Sequence, residues 1–351
     1  MDAQKFNTQR TTLARWFFGM RGQQTVVTVT FMLIPLFLLF VFTYLPFFKM
    51  AQFSLFDMRY IGKRTFVGLQ NYKDIFLRPE IFNSLRLSLY YLAASFVQLA
   101  LALFFATILS FRVKGGGFFK GVMFFPYLVN GIAIGFIFKF FFTRGFVLDS
   151  LLTFLGASQE SLPYWLRDTS VNNIMLASTS VWRYMGQNMV LFIGAIMSVD
   201  PQLYEAADID GATAWQKFKS IMLPSIQTIV VLNLILSITG SISAFEPPYV
   251  ITNGTFDTGT YFVMMNRMAH ELQKVGLASA MAVVLMIIII LMTAVQKTVF
   301  AVFFEPDKDG FTFGERQAMK KRLSYGDQTL GYAGAGLAKS VNPVTSNGGA
   351  V

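Results

Sequence analysis

A chain of 351 residues in which 54 % are hydrophobic and only 14 % charged is too apolar for a soluble globular domain. The absence of cysteine excludes a disulfide framework and any thiolate metal site. A net charge of +10 does not call for nucleic acid, because Lys and Arg gather beside membrane spans, mostly on the cytoplasmic side.

Residues 1–24 form a polar, basic tail with Lys5, Arg10, Arg15 and Arg21. The first apolar run, 25–48, is longer than the roughly 7–15 residues of a signal-peptide core and no small-residue cleavage site follows it. It is expected to be a retained span, kinked or shortened by Pro35 and Pro46. The segment 49–80 interleaves aromatic and basic residues, the composition of a membrane–water interface. Runs 82–109 and 118–142 follow, joined by the tight connection Phe111-Arg112-Val113-Lys114-Gly115-Gly116-Gly117. A longer loop at 143–173 carries Pro163-Tyr164-Trp165.

The fourth run, 174–197, places Arg183 near its middle, with Tyr184, Gln187 and Asn188 close by. A charge at membrane depth is rare and faces a cavity or a partner. Both an ion pair within the bundle and a ligand contact account for it.

The stretch after that run is polar and acidic. Asp200 suits an N-cap and Pro201 the first helical position, which puts Glu205 near the positive end of a short helix. Asp208, Ile209 and Asp210 lead to Gly211, able to take the left-handed conformation that ends a helix. A second helix then carries Trp215, Phe218 and Met222 along one side before Leu223 and Pro224 open the fifth run, 225–245. The sixth, 276–304, follows a loop at 246–274. Each run reaches the length of about 20 residues that a spanning helix needs, so an all-α membrane protein with six transmembrane helices is expected. From residue 305 the chain is polar, and beyond about residue 325 its Gly-, Ser- and Asn-rich composition reads as disordered.

Three lookalikes fail. Gly116-Gly117-Phe118-Phe119-Lys120-Gly121 has phosphate-loop spacing, but Val122-Met123 stand where Lys and Ser or Thr are needed. His270-Glu271 lacks the second histidine of a zinc helix. Asn253-Gly254-Thr255 has the pattern of a glycosylation sequon, but the resemblance of Ile251-Thr252-Asn253-Gly254 to a family motif implies a turn. No nucleophile–base or metal set appears, and no catalysis is expected.

Glu205-Ala206-Ala207, then Gly211, then Ile221 and Leu223-Pro224 resemble the EAA loop of permease subunits of binding-protein-dependent ABC importers. Further likeness lies in Phe66-Val67-Gly68-Leu69-Gln70-Asn71-Tyr72, Phe125-Pro126-Tyr127, Trp182 with Gly186 and Asn188, Ile251-Thr252-Asn253-Gly254 and Gly276-Leu277-Ala278-Ser279-Ala280-Met281. It covers about residues 60–305 and is similar to the maltose-type, carbohydrate-uptake subgroup. The resemblance implies a type I importer permease domain over 25–304 with both termini cytoplasmic, in a bacterial cell membrane. It implies a coupling loop at 200–224 in which Glu205, Ala206, Ala207, Asp208, Gly211, Leu223 and Pro224 meet the ATPase. By the same resemblance, Tyr127, Gly131, Arg183, Tyr184, Gln187, Ser237 and Ser241 line the sugar site, and Asn130 and Asn188 join them on the three helices because sugar hydroxyls call for amide partners. The implied partners are a second homologous permease, two ATPase subunits that use ATP and Mg, and an extracellular solute-binding protein; this chain binds no cofactor. A neutral oligosaccharide is the favoured cargo. Arg183 leaves an anionic sugar open, unless Glu246 neutralises it, and the alternative class is a secondary transporter.

Overall fold

The computed structural model describes residues 20–111 and 113–304. The C-terminal tail expected from 305 and residues 1–19 of the N-terminal one lie outside the described residues. The chain divides into two units, Met1–Ile288 and Ile289–Val351, and the described part of the second is helical to Phe304.

Helix α1 (Met20–Leu39) passes through a π turn (Phe40–Tyr44) into α2 (Leu45–Phe53). Pro46 explains the π turn. Proline has no N–H to give the carbonyl four residues back, and its ring crowds that turn. The chain widens instead, and the Leu45 N–H reaches back five residues to the Phe40 carbonyl. Pro35, by contrast, is carried inside α1. A small hairpin pairs β1 (Phe56–Asp57) with β2 (Thr65–Phe66), and α3 (Gln70–Leu77) follows.

Two of the sequence features noted above, residues 66–72 and 276–281, meet around this hairpin. Asn71 donates to the carbonyls of Ser54 (2.8 Å) and Phe56 (3.0 Å), and the Tyr72 and Ser54 hydroxyls are hydrogen-bonded. The last helix, α14 (Val275–Phe304), starts against the same turn, with the Val275 N–H on the Met58 carbonyl at 3.1 Å. Any side chain at Gly276 would strike the Phe56 carbonyl, so only glycine admits this approach.

The bundle is organised by α4 (Pro79–Leu109) and α8 (Asn172–Met197), which pack along one another. The buried face of α4 runs through Ile81, Ser84, Ser88, Tyr91, Ser95, Gln98, Ala102, Ala106 and Leu109, a spacing of three and four residues that keeps one stripe inward. Its first half is polar and its second half apolar. The apolar half joins Met189, Phe192, Ile193 and Ile196 of α8 with Met222 and Ile226 in a dry core.

The run expected to cross once at 118–142 is instead two helices, α5 (Gly116–Leu128) and α6 (Gly131–Phe142), bent by 99°. The break falls at Val129, which is extended, and at Asn130, whose side chain caps α6 by accepting the Ile132 N–H at 2.9 Å. Gly186 lets α5 lie directly on α8, because a Cβ there would overlap the Met123 carbonyl. The loop after α6 holds α7 (Val147–Phe154) and is pinned by buried Asp149, which accepts from Trp165 Nε1 and the Gly145 N–H, both at 2.6 Å.

Beyond α8 come α9 (Pro201–Ile209), α10 (Ala214–Lys217), a second π turn (Phe218–Met222) and α11 (Leu223–Ile242). Here too a proline, Pro224, follows the π turn by two residues, and Leu223 N–H bonds the Phe218 carbonyl. Short helices α12 (Glu246–Thr252) and α13 (Tyr261–Asn266) lead to α14. Asn253 and Gly254 both have positive φ, the turn expected at that sequence.

Among the described residues four helical stretches are long and apolar enough to cross a bilayer: Val27–Phe53, Pro79–Leu109, Ala214–Thr252 and Val275–Ala301. The bent pair α5–α6 makes a fifth if it is one span. Helix α8 has the length, 26 residues, but its Asn, Ser, Thr, Arg and Gln side chains make it less apolar than the rest.

Candidate functional site

Where the α4 stripe is polar, a cavity of about 360 Å³ opens between α4, α8, α11 and the segment Ser243–Pro247. Tyr91, Ser95 and Gln98 line it from α4, and Ser180, Tyr184, Gln187 and Asn188 from α8. Ser237, Gly240 and Ser241 come from α11. Ser95 and Ser241 donate to carbonyls of their own helices, at 2.7 and 2.8 Å, which leaves their oxygens able to accept. Asn188 donates to the Ser237 hydroxyl at 3.3 Å, joining α8 to α11. Among the described residues the side-chain amides of Gln98 and Gln187 have no hydrogen-bond partner, and the Tyr91 hydroxyl is buried without one. Buried polar groups normally have partners, so this set is suited to a ligand rich in hydroxyls.

Behind the cavity lies a charged pair. Arg183, about 17 Å along α8 from Asn172, forms an ion pair through Nη1 with Glu246 Oε2, and its guanidinium lies 5.0 Å from the centre of the Tyr184 ring. Gly131, at the N-terminus of α6, makes the room: a Cβ there would overlap the Glu246 carboxylate and the arginine. A small pocket lined by Gly131, Arg183, Tyr184 and Glu246 adjoins the main one.

Of the residues the sequence picked out, Tyr184, Gln187, Asn188, Ser237 and Ser241 line the cavity, while Arg183 and Gly131 line only the small pocket behind it. Tyr127 is one layer away, its ring 6.2 Å from that of Tyr184, and Asn130 is occupied as the cap of α6. Tyr91, Ser95 and Gln98 were not anticipated. Their signal was present, because Ser84, Ser88, Tyr91, Ser95 and Gln98 recur at helical spacing within an otherwise apolar run.

The loop between α8 and α11 forms as its local signals direct. Asp200 caps α9 by accepting the Gln202 N–H at 3.0 Å, and Gly211 ends it with φ of +73°. Thr213 and Gln216 form a reciprocal capping box at α10. Lys217 ties α10 to Asp208 at 2.6 Å. Tyr204 anchors the loop inward, edge-on to Phe111, and burial raises its phenol above the usual range. Leu203, Glu205, Ala206, Asp208, Ile209 and Trp215 remain exposed, Ile209 at 87 %. Ala207 and Leu223 are half-buried, and Pro224 is exposed at the start of α11. No cluster of three potential metal-binding side chains exists among the described residues.

A helical membrane chain with a polar cavity between its helices and an exposed loop held by its own caps has the parts of a solute-pathway subunit. The chain belongs to the family described as the binding-protein-dependent transport system inner membrane component, which it matches over residues 98–301. It is therefore an ABC transporter permease of the inner membrane. It is 30 % identical to the arabinooligosaccharides transport system permease protein AraP of Bacillus subtilis, over 73 % of this chain and 84 % of that one. It is 28 % identical to the multiple sugar-binding transport system permease protein MsmF of Streptococcus mutans, over 76 % of this chain and 92 % of that one. The fold is also that of a chain in the crystal structure of a bacterial alginate ABC transporter in complex with an alginate pentasaccharide-bound periplasmic protein. That match has a TM-score of 0.70 at 18 % identity and covers 82 % of this chain and 97 % of that one.

Proposed function

We propose that this chain is one of two permease subunits of an ATP-driven importer of neutral sugars, chiefly oligosaccharides. The observation that carries this is the cavity at the polar half of the α4 stripe, whose volume falls within the roughly 300–1,000 Å³ of ligand sites. Its amides and hydroxyls match sugar hydroxyls, while Tyr184, Phe245 and Tyr91 offer flat apolar faces to the rings. The names of the relatives AraP and MsmF agree with a carbohydrate cargo.

In this reading six spans form, with α8 as the least apolar because it faces the pathway and α5–α6 as a broken one. Both termini are cytoplasmic. The exposed side of α9 and α10, with Glu205 and Gly211, docks an ATPase subunit, and closure of two such subunits drives alternating access. A second permease completes the pathway, and an extracellular solute-binding protein delivers the sugar to it. The secondary-transporter alternative lacks support, because Glu246, the one carboxylate among the residues lining the cavity, is paired with Arg183.

The test is co-purification of the complete assembly followed by ATPase assays in liposomes. Stimulation by a neutral oligosaccharide with its binding protein is expected. Sugar uptake that persisted without any ATPase subunit would sink the reading.

A further inference from the structure

We propose that Glu246 is the charge filter of the cavity: it shields and cancels Arg183, and so restricts the pathway to uncharged sugars. This rests on the sugar reading above and adds a specificity-determining residue to it.

The order of the groups carries the inference. Glu246 and Arg183 are the charged residues among those lining the cavity and its small neighbour. Glu246 lines both spaces, whereas Arg183 lines only the rear one. Their side-chain exposures agree, 41 % for the glutamate and 15 % for the arginine. A ligand in the cavity therefore meets a carboxylate before it can reach the guanidinium.

That carboxylate is held in place from three sides. Arg183 pairs with it, the missing side chain of Gly131 leaves it room, and the N-terminus of α6 at Gly131 favours negative charge there. An anionic sugar approaching this wall faces a like charge and gains nothing from an arginine already neutralised. Neutral hydroxyls pay no such penalty and can still donate to Glu246.

The arginine keeps unused capacity. Its Nε is buried with no hydrogen-bond partner. Removing one member of this partly buried ion pair leaves the other charge uncompensated, and that charge then favours any counter-ion that can reach it. Without the Glu246 charge, a uronate carboxylate could take the vacated place beside Arg183. Without the Arg183 charge, Glu246 would favour a cationic amino sugar by the same logic.

The experiment measures equilibrium binding to the purified complete transporter in detergent, with the soluble binding protein left out so that its own selectivity cannot intervene. Three probe panels are used: neutral pentose and hexose disaccharides, the same disaccharides ending in a uronic acid, and the same ending in an amino sugar. The native transporter is expected to favour the neutral panel. Glu246→Gln should shift the acid-to-neutral affinity ratio toward the acids by about tenfold or more. Arg183→Gln should shift preference toward the amino sugars, and the double variant should reverse both shifts. Assembly is followed by size exclusion, and the two single variants give independent readings should one fail to assemble. Equal affinity of the native transporter for acidic and neutral panels would overturn the filter while leaving the sugar reading intact. So would assembled single variants whose ratios did not move. Failure of all panels to bind the native transporter would instead overturn the sugar reading, and the filter with it.

Discussion

The cavity and the loop Pro201–Met222 hang on the same two helices, α8 and α11, yet they are built in opposite ways. The cavity gathers buried polar groups from α4, α8 and α11, none of which is near the others in sequence. The loop is exposed and held by contacts spanning a few residues: the Asp200 cap, the Gly211 turn, the Thr213–Gln216 box and the Lys217–Asp208 pair. A surface stabilised locally can lose and regain a partner without disturbing the bundle. A site made by packing cannot be altered without answering to the helices around it.

The sharpest way to break that contrast is on the packed side. Gly186→Leu would drive a side chain into the Met123 carbonyl and should abolish recovery of folded protein by size exclusion. Gly186→Ala should lower stability by about 1–3 kcal/mol, as overpacking does, read from thermal unfolding in detergent. Native melting of both would mean that α5 and α8 do not need their close approach.

On the loop side, Gly211→Leu and Glu205→Ala should leave the protein in the membrane but uncouple transport from ATP hydrolysis. A side chain in the left-handed conformation of Gly211 costs only about 1–2 kcal/mol, enough to reset the short helix and too little to unfold the chain. Normal coupling in both variants would reduce the loop to a connector. Orientation can be checked in the same segment. A cysteine introduced as Thr213→Cys should be labelled by an impermeant reagent from the cytoplasmic side alone, and labelling from outside intact cells would reverse the topology.

Within the cavity, Gln187→Ala and Gln98→Ala should each leave a ligand group unpaired, at about 1–3 kcal/mol, so uptake should weaken about tenfold. An effect at Gln187 without one at Gln98 would confine the site to α8 and α11. The smallest change belongs to Tyr204→Phe. The hydroxyl it removes is buried with no hydrogen-bond partner, so the melting temperature should hardly move, whereas Tyr204→Ala should cost more by emptying the contact with Phe111.

The same contrast explains what the sequence disclosed. The loop was readable because caps, glycines and prolines act within a few residues, and Asp200, Pro201 and Gly211 behave as their types require. The α8 and α11 members of the cavity were found through likeness to a family. The α4 members were hidden because hydropathy averages over a run, and Ser95 and Gln98 vanish among alanines and leucines until a helical stripe is drawn. The break between α5 and α6 was lost in the same averaging, although Asn130-Gly131 is a serviceable helix start. The pairing of Arg183 with Glu246 joins residues 63 positions apart, and no local pattern encodes it.

The second π turn has a mechanical consequence. From Trp215 on the exposed loop to Ser237 at the cavity, the chain never leaves helical conformation, a distance of about 33 Å at 1.5 Å per residue. A beam of that length tilted by about 5° moves its far end by about 3 Å. Hydrogen bonds are made or lost over less than that, so under the proposed coupling a modest push on Trp215 would shift Ser237 and Ser241 by more than a hydrogen bond tolerates. The widened turn at Phe218–Met222 lies a few residues from the Trp215 end, and its Leu223 N–H to Phe218 carbonyl bond keeps the helix continuous past Pro224.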